Sequence, residues 1–340
     1  MSNHLPTTLF APAPDAQDRP SKFARVFEAS RAIELEDAWH ADSVGYINRV
    51  MVQATLPYRE PKPRPGENGP PQVWGRRAGN VSLVIQPLSF LAEVRDKNGT
   101  VTGQEPRSVG YPYGTIPRLI LAWLGREVRR QKSGRELYLG SSLRQFMSEL
   151  GIDSSTGGAN GSITRLREQM KRLFTARIAL VVSDESTNSN LQQMFSAQTM
   201  DIAEQTNLWW DPKRPEEAGL FESSVVLSER FYREVEQHSV PVDMRALAAL
   251  KGSPFELDMY CWLTYRFSYL RKSTVVPWDL LRQQFGSEAE NPRKFKFNIR
   301  RALLSVKTVY PDAMVDPDAD PRGLVLQPSN TSVRKYIKVA

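Results

Sequence analysis

Two short stretches of this chain are built alike. TVVPWDLLRQQFG (Thr274–Gly286) repeats the plan of LYLGSSLRQFMSELG (Leu137–Gly151), and the matching leucines, Leu143 and Leu281, lie 138 residues apart. Each reads as a short apolar or β-branched run, a capping residue, a Leu-Arg-Gln-(Gln)-Phe helix and a glycine stop. An echo at that distance implies duplication of a whole domain plan. The length of 340 residues agrees, because one hydrophobic core seldom serves so many.

The pattern around the first echo predicts a defined order. Ile116, Leu119, Ile120, Trp123 and Leu124 recur at helical spacing, with Pro117 tolerated in the first turn, and the helix ends in the basic run REVRRQK. RELYLG reads as a strand, and Ser141 or Ser142 caps SLRQFMSELG. The loop GIDSSTGGANG leads to the helix SITRLREQMKRLF, and TARIALVVSDESTNSNLQQMFSAQTMDI gives strand, polar turn, strand.

The second half repeats this order. After a strand and two helices in LFESSVVLSERFYREVEQHSVPVDMRALAALKG, with Ser228 a cap, comes a long helix capped by Ser253. TVV is a strand, PWDLLRQQFG a helix, and NPRKFKFNIRRALLSVK a helix begun by Asn291 and Pro292. AMVDPDADPRGLVLQPS is a candidate wing with an acidic tip. The fold class expected is α+β: tandem winged helix-turn-helix domains, helix-rich with short β wings.

The flanks are simpler. Residues 1–25 read as a disordered tail without the order of a secretory signal. One or two helices are expected in the stretch holding Ala38, Ile47, Val50, Met51 and Ala54. A proline-rich loop spans 57–72, and NVSLVIQPLSF is a strand followed by a turn at DKNGT that starts a hairpin. The expected division places a first domain at 26–203 and a second at 204–340.

Composition bounds the function. The formal charge is +7, and the excess is concentrated. Residues 118–177 carry twelve Lys/Arg against five acids, and residues 271–311 nine against three. Each basic segment contains one copy of the echo, the distribution expected of a protein with two nucleic-acid contacts. The longest apolar run is too short to span a membrane. Cys261 reads as a buried structural thiol, and His4, His40 and His238 are too scattered for a metal site. No phosphate-binding GK[ST] is present, nor the paired histidines of a DNA-nicking enzyme. A non-catalytic protein without cofactor or metal is expected.

A reading helix buries one face and offers the other to the major groove. In the first copy Ile163, Leu166, Met170, Leu173 and Phe174 form the core face. Thr164, Arg165 and Arg172 lie opposite, with Gln169 and Lys171 on the flanks. Arginine can chelate guanine and glutamine adenine, although any solvated helix face also carries charge. In the second copy Phe295, Ile299, Ala302, Leu303 and Val306 form the core face. That leaves Arg293, Lys294, Phe297, Arg300 and Arg301 outward, with Leu304 beside them. Phe297 is expected to pack on a neighbouring element, the alternative being a thymine methyl. Ser162 at the first helix start, and Arg144 and Arg282 on the two preceding helices, complete the candidate set. The loop DSSTGGANGS offers N–H groups suited to one phosphate. The tip DPDADP should be repelled by DNA.

YPYGTIPRLILAWLGREVRR, LYLGSSLRQFMSELGI and STGGANGSITRLREQMKRLF in succession resemble the plasmid replication initiators of the RepA type, the plasmid-encoded RepA protein family. The resemblance covers Ala32–Val182 best and is looser from Leu220 onward. It implies a cytoplasmic bacterial protein that binds repeats in a double-stranded plasmid origin, helps open the duplex and recruits a host initiator and replicative helicase. It also implies a switch between monomer and homodimer and repression of the protein's own promoter. Carried over by motif are the Thr156, Gly157, Gly158 loop and the helix with Arg165, Gln169 and Arg172. A transcriptional regulator or partition protein on the same tandem winged helices remains open at this point, as does a module whose basic face meets RNA or protein.

Overall fold

The computed structural model describes residues 21–63, 70–78, 81–131, 134–153, 161–184, 194–208, 223–286 and 291–334. They form an α+β protein of helices and small antiparallel sheets. The expected tail lies almost wholly outside them.

Helix α1 (Lys22–Leu35) starts at Ser21, whose hydroxyl oxygen accepts the Ala24 N–H at 3.1 Å. It is followed by β1 (Val44–Asn48) and the short α2 (Arg49–Gln53). Ile47, expected on a helix, is therefore on a strand. Next come β2 (Trp74–Ala78), β3 (Val81–Gln86), β4 (Ser89–Arg95) and β5 (Val101–Ser108). The turn between β4 and β5 is set by Asp96, whose carboxylate accepts the N–H groups of Asn98 and Thr100 at 2.8 and 2.9 Å.

A first unit follows: α3 (Thr115–Arg130), β6 (Glu136–Tyr138), α4 (Leu143–Glu149), α5 (Ser162–Thr175), β7 (Arg177–Asp184), β8 (Met194–Asp201), β9 (Ala203–Asn207) and β10 (Ser224–Leu227). Ser142 caps α4, accepting the Gln145 N–H at 3.2 Å. After α6 (Glu229–Gln237), β11 (Ser239–Asp243) and α7 (Met244–Leu250) comes a second unit: α8 (Pro254–Tyr269), β12 (Thr274–Pro277), α9 (Trp278–Phe285), α10 (Pro292–Val309), β13 (Val315–Asp320) and β14 (Gly323–Leu326). Ser228 and Ser253 cap α6 and α8, and Asn291 caps α10, as their sequence positions predict.

Strand order relates the units. One sheet runs β6-β10-β9, the other β12-β14-β13. In both, the strand between the first two helices pairs with the last strand, which pairs with the strand before it. The first unit differs by an insertion: β7 and β8 do not close on β6 but extend β2-β3 into a four-stranded sheet. The hairpin expected to serve as the first wing is therefore part of this larger sheet. The expected division between 203 and 204 falls at the start of β9, among the strands that complete the first unit.

The two cores share one aromatic pairing. Trp123 meets Phe146 edge-on with centroids 4.9 Å apart, and Trp262 meets Phe285 edge-on at 5.5 Å. Leu143 and Leu281 are both fully buried. What the echo repeats is thus the packing of a middle helix against the first helix of its unit. One continuous apolar core runs from Val26 to Leu326. Strand β1 pairs antiparallel with β11 and lies on α3, so closely that a Cβ on Gly125 would fall 2.0 Å from the Tyr46 carbonyl oxygen. Among the described residues no helix is long and apolar enough to cross a membrane.

Candidate nucleic-acid interface

The third helix of each unit divides cleanly into two faces. On α5, Ile163, Leu166, Met170, Leu173 and Phe174 are buried; on α10, Phe295, Ile299, Ala302, Leu303 and Val306 are. Both stripes are those the 3.6-residue period predicts. Apolar burial on one side fixes which side chains stand away from the core.

On α10 every outward candidate is exposed: Arg293, Lys294, Phe297, Arg300 and Arg301. No acid lies within the helix. Phe297, expected to pack on a neighbour, is instead 60% exposed, and Leu304 two turns on is 73% exposed. Two exposed apolar side chains therefore stand two turns apart within a cationic face. Its N-terminus is fixed by Asn291, whose side-chain oxygen accepts the Arg293 N–H at 2.9 Å. Lys296 is anchored rather than free, 4.9 Å over the Trp278 ring and directed at the Pro321 carbonyl at 3.4 Å.

The wing lies against this face. Arg300 donates through Nε at 3.0 Å and through Nη2 at 2.5 Å to one carboxylate oxygen of Asp318. The acidic tip is not a uniformly solvated run. Asp316 accepts the Asp318 and Ala319 N–H groups, building the turn, and Asp320 is held by Arg322, whose guanidinium lowers the Asp320 pKa to about 2.

On α5 the outward face is shorter than expected. Arg165 is exposed and Thr164 half-buried. Gln169, placed on a flank from sequence, is only 6% exposed, and its Oε1 accepts the Tyr113 N–H at 2.8 Å. Arg172 is held 2.6 Å from Glu60 and 5.4 Å over the Tyr113 ring. Both side chains bind the segment leading into α3, which covers the C-terminal half of α5. Ser162 is buried as well, donating to the Asp153 carbonyl at 2.5 Å. Arg167, which the sequence reading does not name, and Lys171, which it places on a flank, are exposed; Lys171 sits 5.7 Å over the Phe90 ring of the β4–β5 hairpin. The 3.6 period alone could have nominated Arg167, one residue from the buried Leu166 and facing out.

On the middle helices Arg144 is exposed and Arg282 half-buried. Thr156, Gly157 and Gly158 lie outside the described residues. Among the described residues no group of three His, Cys, Asp or Glu side chains could hold a metal ion.

The sequence model of the plasmid-encoded RepA protein family matches residues 111–280, half of the chain, and the chain belongs to that family of plasmid replication initiators. The matched span takes in the whole first unit and ends inside α9, before α10. Among solved structures, selenomethionine derivatives of domains 2 and 3 of RctB share 14% identity, with 75% of this chain and 82% of that one covered at a TM-score of 0.46. A second structure of RctB domains 2–3 shares 11% identity, with 80% and 84% covered at 0.38. No curated protein matches the chain.

Proposed function

We propose that this initiator binds duplex DNA in a sequence-specific, non-catalytic manner through two winged helices, residues 115–227 and 254–326, with α5 and α10 each entering a major groove of one origin repeat. The observation that carries this reading is the α10 face, where Arg293, Lys294, Phe297, Arg300, Arg301 and Leu304 stand in solvent above a fully buried stripe. Cations alone would suit any polyanion. Exposed apolar side chains among them suit the floor of a major groove, where a thymine methyl is the natural contact. On α5 the groove contacts are reassigned to Thr164, Arg165, Arg167 and Lys171, and Arg144 and Arg282 are assigned to backbone phosphates.

Origin opening, recruitment of the host initiator and helicase, and promoter repression are carried into this reading from the family resemblance and rest on this binding step. The test is binding of purified protein to the repeats of its plasmid origin at two salt concentrations. Replacing Arg293 and Arg301 together by alanine should weaken binding to the repeat about 10-fold or more and flatten the salt dependence, because fewer counterions are released. Equal binding to repeat and unrelated duplex by the wild type would defeat the reading.

A further inference from the structure

The aspartate of the second wing has a task that acidity alone does not explain. A carboxylate beside a DNA-binding face weakens attraction to phosphate, and an exposed ion pair contributes little to stability. Asp316 and Asp320 are accounted for locally, one by the turn and one by Arg322. Asp318 alone of the three reaches across to the helix, and it takes the side edge of the Arg300 guanidinium, the edge formed by Nε and Nη2.

We propose that Asp318 is a specificity-determining residue that holds Arg300 for reading a guanine and keeps it off phosphate. A guanidinium has five N–H donors in a planar fork. With the Nε side bound to Asp318, the end edge formed by Nη1 and Nη2 stays open. That edge presents two parallel donors, the geometry that chelates guanine O6 and N7. The carboxylate also neutralises the charge that would draw Arg300 to any backbone phosphate, so little is gained from a wrong sequence. The turn built by Asp316 fixes where Asp318 stands, and the Asn291 cap and the Phe295–Ile299–Leu303 stripe fix where Arg300 stands. Two rigid elements thus set one side-chain plane. This inference rests on α10 entering the groove.

The experiment measures specificity rather than affinity. Wild-type protein first enriches a preferred duplex from a randomised pool. Binding of that duplex and of a scrambled duplex is then compared for wild type, Asp318→Asn, Arg300→Ala and the double variant. Asp318→Asn should tighten binding to the scrambled duplex about 3-fold and lower the preferred-to-scrambled ratio about 10-fold. The salt slope on the scrambled duplex should steepen by about one phosphate contact. In the Arg300→Ala background the same substitution should change neither ratio nor slope. An unchanged or raised ratio in Asp318→Asn, or the same change when Arg300 is already alanine, would overturn the proposal. Wild type that enriches no sequence would overturn the binding reading itself, and this proposal with it.

Discussion

Arg118 and Asp258 form a buried, two-pronged ion pair, Nε to Oδ1 at 2.7 Å and Nη2 to Oδ2 at 2.8 Å, that joins the first helix of one unit to the first helix of the other. Arg118 also donates to the carbonyls of Gly114 at 2.6 Å, Leu56 at 2.7 Å and Pro57 at 3.3 Å. One side chain thereby fixes two units and the segment between β1 and β2. Removing Asp258 (Asp258→Ala) leaves a buried cation without its partner and should cost about 3–5 kcal/mol in urea unfolding. Replacing both residues by apolar ones should recover only part of this, because three carbonyls then lose their donor. Full recovery would show that the carbonyl contacts contribute nothing.

Each tryptophan–phenylalanine pair should matter equally in its own unit. Phe146→Ala and Phe285→Ala each empty a fully buried site and should each lower stability by about 3–5 kcal/mol. A loss below about 1 kcal/mol at either position, read from denaturant midpoints, would show that the echo is not a packing equivalence.

The helix faces were legible from sequence where both partners lie within the helix or its own unit. The stripes on α5 and α10 follow from the period alone, and Leu143 and Leu281 from the echo. What was not legible depends on distant chain. Gln169 and Arg172 are engaged by Tyr113 and Glu60, more than fifty residues upstream, so no local pattern could withdraw them from the outward face. The charge count overstates the free cations of the first segment for the same reason: Arg118 is tied inside the fold to Asp258, 140 residues away. Strand β1 was masked by apolar residues that also satisfy a helical spacing, and β11 by Pro241, which reads as a break.

Phe297 and Leu304 separate function from stability. Both are well exposed, so alanine at either should change unfolding free energy by less than about 0.5 kcal/mol. DNA affinity should nevertheless fall, and replacing thymine by uracil in the repeat should weaken the wild type while leaving Phe297→Ala unaffected. A stability loss without an affinity loss would place Phe297 in packing.

Cys261 should be inert in the folded protein. Burial, aided by the nearby Asp258 carboxylate, pushes its thiol far above the ordinary range. At pH 8 a thiol reagent should label it only after denaturant is added. Rapid labelling of native protein would contradict the packing of α8.

The C-terminal segment offers a pH test. Asn330 and Arg334 hydrogen-bond Asp312 and lower its pKa below 3.8. Because the folded pKa is depressed, the contribution is present above the unfolded value and is lost as pH falls through the folded one. Asp312→Asn should therefore lower the neutral plateau slightly and flatten the acid limb, the two proteins converging as pH falls through the folded pKa of Asp312; parallel curves with an identical acid limb would exclude the contact.

The claim that two units read two parts of one site is tested most directly by footprinting on a single origin repeat. Arg165→Ala and Arg301→Ala should each weaken binding by about 1–3 kcal/mol, and each should lose protection over a different segment of the repeat. Loss over the same segment, or footprints identical to wild type, would contradict the account.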